Sequence, residues 1–423
     1  MPNRHSRSTI RHVAGSSAAI ALALTLAACG SSSSGGGAKD SSAGASGGSA
    51  KAAAAPVSDG AAQVKVDLTS AGGCEIDHAS APAGPVTFTV TNKDATAITE
   101  IELQSDQRIL GEKENLAPGL APVKFTTTLS GGTYQLYCPG ADKENVPFTV
   151  TGKAAAAASG SAATVLADGT KGYATFVNQN ATDMVTAVKA LQTAVDKGDV
   201  AGAKKAYAGA RPFYEKIESD VGGFVLPGFK PGDNAGNLDY LIDMRESNLD
   251  PKVGWHGFHA IERDLWKSGK ITPQTKKYVK ELHTNVSKLA GLVKGITYKP
   301  EDLANGAASL LEEVQTNKIK GEEEKYSHTD LFDFASNVEG AQQAFAFLKP
   351  GLQKIDPALT ANVSKQFTIV TDSLTPYRDG NALGGFKAWT PQLRKTNAAS
   401  LSKKVQALQD PLSRIAQKVA TAG

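Results

Sequence analysis

Methionine, histidine and cysteine are scarce in this 423-residue chain, and that scarcity limits its chemistry. The three methionines are Met1, Met184 and Met244, and the three cysteines are Cys29, Cys74 and Cys138. A blue-copper centre takes two histidines, a cysteine and usually a weak axial methionine. Residues 64–150 hold one histidine, His78, and no methionine, so a blue-copper electron carrier is excluded. Charge of one sign is lacking as well. The formal net charge is +3 with both signs mixed, which gives no reason to expect nucleic acid as a partner. No glycine-rich phosphate loop, nucleophile elbow or H-E-x-x-H helix is present. Only one strongly hydrophobic run occurs, at the N-terminus, and it decides the compartment.

Residues 1–28 carry Arg4, Arg7 and Arg11, then an apolar segment over 18–26, then small residues. This pattern is a secretory signal, too short and wrongly flanked for a membrane-spanning helix. Leu26-Ala27-Ala28-Cys29 resembles a bacterial lipobox, in which Cys29 is lipidated and becomes the mature N-terminus. Residues 29–58 are mostly Ser, Gly and Ala, a composition that buries too little apolar surface to order itself. They read as a flexible tether spanning roughly 25–30 Å. The expected body is therefore extracytoplasmic, lipid-anchored to the cell membrane or periplasmic.

Residues 59–152 change texture. Runs at 64–68, 86–90, 98–103, 123–129, 133–137 and 146–150 alternate with period two, separated by turn signals such as Ala83-Gly84-Pro85 and Gly131-Gly132. Short strands at this spacing predict a β-sandwich. Gly131-Gly132-Thr133-Tyr134 followed by Tyr137-Cys138 resembles the last hairpin of a cupredoxin, whose ligand cysteine follows such a strand. Two readings of Cys74 and Cys138 stand open. An oxidising compartment and an even count favour a disulfide. Alternatively the two sulfurs join Glu100 and Glu102, which share one strand face, in a modified metal site.

An Ala/Gly/Ser-rich linker covers 153–164, and 165–423 is helical in pattern. Asp199 is expected to cap a helix over 200–221 interrupted by Pro212. Thr272-Pro273 opens one to about Val293, Asp330 caps 331–348, Asp356-Pro357 opens the next, and Thr390-Pro391 the last. Leu331, Phe334, Ala335, Val338, Ala341, Phe345 and Leu348 form an apolar stripe. Seven or so helices imply a bundle, or two packed together.

The bundle's most informative stretch is 254–266, GWHGFHAIERDLW. His259 and Glu262 stand three apart, on one helix face, where imidazole and carboxylate can bind the same ion. Borderline nitrogen with hard oxygen suits iron, manganese or zinc better than copper(I). Trp255, Phe258, Ile261, Leu265 and Trp266 surround the pair, so the turn is expected to be partly buried, and a buried carboxylate needs a partner. Bundle metal sites draw ligands from facing helices. Glu215 with Glu218, and Asp239 with Asp243, are the two same-face acidic pairs; read singly, each favours a solvated face over a ligand pair.

Four motifs in order resemble the imelysin-like family: Tyr214-Glu215-Lys216-Ile217-Glu218, Leu238-Asp239-x-x-Ile242-Asp243-x-Arg245, Gly257-Phe258-His259-x-Ile261-Glu262 and Tyr326-Ser327-His328-Thr329-Asp330-Leu331-x-Asp333-Phe334. The match is to EfeO-type iron-uptake components, and Glu112-Lys113-Glu114-Asn115-Leu116-Ala117-Pro118-Gly119 also resembles that family's cupredoxin segment. The resemblance implies a multidomain fold: an N-terminal cupredoxin-like β-sandwich followed by an all-α imelysin-like helical bundle. It implies a helical metal site of Glu215, Asp243, His259 and Glu262, and a cupredoxin-like site of Cys74, Cys138, Glu100 and Glu102. It also implies iron (Fe2+ or Fe3+) as cargo, copper or a second iron in the β-domain, and a membrane iron permease and haem peroxidase as partners. Two features depart from the family: a longer loop over 224–237, and His256 one turn before His259, which either joins the site or caps the helix. The leading expectation is a non-enzymatic iron-binding component. The alternatives are an imelysin-type metallopeptidase and a structural or adhesive surface lipoprotein.

Overall fold

The computed structural model describes residues 53–105, 108–153, 159–230 and 232–422. The signal, Cys29 and most of the tether lie outside them. From Lys51 to Gly423 the chain is one compact unit in which a β-domain sits against a helical one.

The β-domain is two five-stranded sheets face to face. The first joins β1 (Val57–Ser58), β2 (Ala61–Thr69), β5 (Gly84–Asn92) and β8 (Val123–Leu129), with β3 (Gly73–Ile76) following β1 along the edge of β2 opposite β5. The second runs β4 (Ser80–Pro82), β10 (Asn145–Thr151), β9 (Gly132–Tyr137), β6 (Ile101–Ser105) and β7 (Arg108–Lys113). Alternation drives the burial: Val64, Val66 and Leu68 of β2 point into the core while Lys65 faces out. Phe88 stacks on Phe125 at 5.0 Å and meets Phe148 edge-on at 5.3 Å. Each such buried ring contributes roughly 1.5–3 kcal/mol. The expected strand over 98–103 begins three residues later, at Ile101, so Glu100 precedes it and Glu102 lies within it. Register places Glu102 opposite Glu112 of β7.

Cys74 and Cys138 are bonded to each other across 64 residues of sequence. This decides between the two readings of the pair and removes both sulfurs from the expected metal site. On the chain-entropy account, closing a loop of that length stabilises the fold by roughly 4 kcal/mol.

The helical domain comprises α1 (Ser161–Asp196), α2 (Val200–Glu215), α3 (Glu218–Val221), α4 (Leu238–Asp243), α5 (Gly257–Glu262), α6 (Pro273–Leu292), α7 (Pro300–Glu313), α8 (Asp330–Ile355), α9 (Pro357–Leu374), α10 (Pro391–Leu412) and α11 (Ile415–Ala420). Start signals behave as expected at four places: the side chains of Asp199, Thr272, Asp356 and Thr390 accept from Gly202, Thr275, Leu359 and Leu393 backbone N–H groups, whereas Asp330 is the first residue of α8 and Thr329, without a side-chain bond, takes the cap position. Helix α2 runs through Pro212 and stops at Glu215, short of the expected Val221, so Glu215 and Glu218 belong to separate helices. The α8 stripe is buried as expected except at Ala335, which is half-buried. Among the described residues no helix is long and apolar enough to cross a membrane.

Two glycines set the distances on which the site depends. Gly257 opens α5 at φ +67, and a Cβ there would lie 2.0 Å from the carbonyl oxygen of Ile242. Only glycine lets α5 start against the end of α4, which brings His259 beside Asp243. At Gly340 of α8 a Cβ would meet the Lys216 carbonyl at 2.3 Å, so α8 crosses the end of α2 closely. Asn337 then reaches the Glu215 carbonyl at 2.8 Å.

Polar contacts join the two domains. Lys113 pairs with Glu312 at 2.7 Å, Thr128 N–H donates to Glu301 at 3.1 Å, and Asn305 donates to the Thr126 carbonyl at 2.7 Å.

A buried carboxylate and histidine centre

The end of α2, α4, α5, the segment 319–329 and the start of α8 converge on one buried cluster. Helix α5 supplies His259 (2% exposed) and Glu262 (0%), and α4 supplies Asp243 (5%). His259 Nδ1 is 3.2 Å from Glu262 Oε2, while Nε2 stands 3.5 Å from both Asp243 Oδ1 and Glu323 Oε1. Nε2 makes no hydrogen bond among the described residues. A buried ring nitrogen left this way points at a place where a cation can sit.

Two overlapping ligand groups result, each with its atoms within 4.8 Å of one another: Asp243, His259 and Glu323 on one side, and His259, Glu262 and Glu324 on the other. One imidazole nitrogen with carboxylate oxygens suits iron, manganese or zinc. Glu262 is fixed from behind by the backbone N–H groups of Tyr326 and Ser327, each 2.7 Å from Oε1. The Tyr326-Ser327-His328 motif therefore positions the H-x-x-E carboxylate. Directly after Glu262 the helix widens into a π-turn over Arg263–Lys267, a feature frequent at functional sites.

Of the four ligands expected in this domain, Asp243, His259 and Glu262 come together. Glu215 adjoins them through cations: it contacts Arg211 and lies 3.3 Å from Lys318 Nζ. Arg211, itself 0% exposed, also contacts Asp243 and reaches Glu323 at 2.9 Å and Glu324 at 3.2 Å. Lys318 joins Glu215 to Glu218, Glu313 and Glu323 at 3.1–3.5 Å. Arg245 holds Glu313 and Glu323 at 2.9 and 2.8 Å. His256 does not join the centre; it faces Glu281 of α6 at 3.7 Å. The loop over 224–237 is closed by the Val225 and Asn237 bridge and by Leu238 N–H on the Phe224 carbonyl at 2.9 Å. It therefore leads directly into α4.

Sequence reasoning missed Arg211, Lys318, Glu323 and Glu324. The two glutamates lie in Gly321-Glu322-Glu323-Glu324-Lys325, which reads as a solvated charge run, yet they are 1% and 0% exposed. Their only advance signal was nearness to the Tyr326-Ser327-His328 motif.

The electrostatics follow from burial among like charges. Burial, reinforced by Glu324, pushes the Glu262 carboxyl up to about 7. Burial raises Glu215 to about 6 against the pull of Arg211 and Lys318. Burial also opposes charge on His259, but the Asp243 carboxylate outweighs it and holds the imidazole well above its ordinary range. For Glu313, burial is outweighed by Arg245 and Lys318, which bring it down to about 2.

In the β-domain the expected site keeps only its carboxylates. Glu102 accepts from Gln104 and faces Glu112. Burial and then Glu102 push Glu112 up to about 8, and the same two causes raise Glu100. This set looks across the domain junction toward Asp239, which burial raises to about 6 despite its hydrogen bond from Tyr214.

A sandwich of cupredoxin type followed by a helical bundle with a buried histidine and carboxylate centre defines the class. Residues 169–419 match the family described as imelysin, and residues 20–147 match the cupredoxin-like domain. The chain belongs to the imelysin family, in its EfeO-type form. The iron uptake system components EfeO of Escherichia coli K12 and of Shigella flexneri are each 33% identical to it over 356 residues, covering 83% of this chain and 90% of theirs. A solved structure from Parabacteroides distasonis, described with reservation as an iron-regulated protein A precursor, is 18% identical. It covers 62% of this chain and 96% of its own, with a TM-score of 0.47.

Proposed function

We propose that the protein is the iron-capturing component of an uptake system, binding Fe2+ or Fe3+ at the His259 centre and passing it on. The observation that carries this is the charge imbalance. Glu215, Glu218, Asp243, Glu262, Glu313, Glu323, Glu324 and Asp333 form one ion-paired network with only Arg211, Arg245 and Lys318 as permanent cations. Buried carboxylates in such excess need protons or a further cation. Hard oxygen donors with one imidazole make iron a fitting occupant.

The same burial argues against peptide hydrolysis. A scissile carbonyl must reach the metal, whereas Asp243, His259, Glu262, Glu323 and Glu324 are at most 5% exposed. A dehydrated ion fits where a polypeptide does not. The expected partners are a membrane iron permease and the haem peroxidase of the same system, with lipid on Cys29 holding the body outside the cytoplasmic membrane. The carboxylates Glu100, Glu102 and Glu112 suit a hard second ion, such as iron; without the two sulfurs they do not suit copper(I).

Anaerobic titration with ferrous ion tests the reading. One tight site is expected near pH 7.5. Its affinity should fall by more than about tenfold by pH 5.5, because His259 and Glu262 then hold protons that the ion must displace. Ordinary solvated carboxylates, titrating near pH 4.3, predict little change over that range. Tight binding unchanged at pH 5.5 would therefore count against this centre.

A further inference from the structure

Asp243 Oδ1 and Glu323 Oε1 are claimed from two sides. His259 Nε2 faces both at 3.5 Å. From the other side Arg211 donates to the same two atoms, Nη1 to Asp243 Oδ1 and Nη2 to Glu323 Oε1. A metal ion bonded to those oxygens and to Nε2 would compete with the guanidinium for their lone pairs and repel its charge. One of the two cations must give way.

We propose that Arg211 is a displaceable counter-cation, seated on the ligand carboxylates in the ion-free protein and moving to Asp333 when the ion binds. This rests on the reading of the His259 centre as an ion site. The second seat is already built. Asp333 is 0% exposed, and among the described residues neither of its carboxylate oxygens has a hydrogen-bond partner. Arg211 Nε stands 3.6 Å from Asp333 Oδ2, and that Nε likewise makes no hydrogen bond among the described residues. The Nε edge of the guanidinium thus lies between Glu324 Oε1 at 3.2 Å and the unsatisfied Asp333 carboxylate at 3.6 Å. Phe258 lies 5.1 Å and Tyr214 5.9 Å from the guanidinium carbon, measured to their ring centres. Ring faces attract a cation without fixing its hydrogen-bond geometry, so the group can shift along them while staying buried.

The consequence is selectivity and release by exchange. An ion that binds must outcompete a guanidinium, which disfavours singly charged cations. The return of Arg211 to Asp243 and Glu323 helps to expel the ion without opening the bundle.

Arg211→Lys tests this. Charge is retained, so the field at the centre is preserved, but an ammonium cannot reproduce the planar fork that bridges several carboxylates. Ferrous affinity, measured anaerobically, is expected to tighten about tenfold, because a larger fraction of molecules has the ligand oxygens free. Unchanged or weaker affinity in a folded variant overturns the proposal, since a purely structural arginine predicts that result. A crystal structure of the native protein soaked with ferrous ion decides independently, including where the variant fails to fold. Arg211 Nη atoms on Asp333 with an ion at His259 support exchange. Arg211 still on Asp243 and Glu323 beside the bound ion overturns the exchange alone. No ion at His259 overturns the ion-site reading and this proposal with it.

Discussion

Replacing His259 with alanine and Glu262 with glutamine together is expected to weaken ferrous binding by more than about 100-fold, since loss of outer-shell partners alone costs roughly 10–100-fold. His259 is common to both ligand groups, so its removal takes the only nitrogen from either position. Glutamine at 262 keeps an oxygen to accept from Tyr326 and Ser327, whose N–H groups each lie 2.7 Å from Glu262 Oε1. The fold should therefore survive, and circular dichroism of the variant should match the native protein. Alanine at 262 would instead leave two part-buried donors without their carboxylate acceptor, at a cost of up to roughly 1–3 kcal/mol each, and would mix binding with stability. An undiminished iron stoichiometry in the folded variant would move the binding site elsewhere, with the Glu100, Glu102 and Glu112 set the next place to look.

Lys318→Met is expected to destabilise the ion-free protein by about 3–5 kcal/mol at pH 8, the usual cost of breaking a buried ion pair from one side. Lys318 is 1% exposed and lies within 3.5 Å of Glu215, Glu218, Glu313 and Glu323. Methionine fills similar space but leaves those carboxylates without that charge. The sign of the pH dependence follows from linkage. A carboxyl raised on folding binds its proton more readily in the native state, so its contribution is most favourable below the unfolded value and is lost as pH rises through the folded one. Glu215, at about 6 with Lys318 present, should rise further without it. Chemical denaturation at pH 8 and pH 5.5 should accordingly show a smaller deficit at the lower pH. Glu313 behaves oppositely in the native protein. Its carboxyl is depressed to about 2, so its stabilisation is present above the unfolded value and lost only as pH falls below about 4.3. An equal deficit at both pH values would mean that Lys318 acts through its aliphatic stem rather than its charge.

The sequence reading succeeded where a local signal and the tertiary demand agree. Asp356-Pro357 and Thr272-Pro273 start helices because capping oxygen and fixed proline φ act within a few residues. The α8 stripe was legible because one helix face meets one core. His259, Glu262 and Asp243 were legible as same-face spacings joined to an ordered set of family motifs. Glu323 and Glu324 were not, because their burial depends on Arg211 and Arg245, roughly 80 to 110 residues earlier in the chain. No local pattern distinguishes that glutamate run from a solvated one. Strand β7 was missed for a related reason: Glu112 and Lys113 look like surface residues until Lys113 finds Glu312 across the domain junction. The break after Glu215 carries no local breaker, whereas Pro212, the residue that signals an interruption, is accommodated within α2.

X-ray absorption at the iron edge, on native protein loaded with one equivalent of ferrous ion and on His259→Ala, tests the central claim most directly. A mixed shell of oxygen donors and one nitrogen is expected in the native sample, with the outer-shell scattering of an imidazole ring. That signature should disappear in the variant. An oxygen-only shell, identical in both proteins, would contradict an iron site at His259.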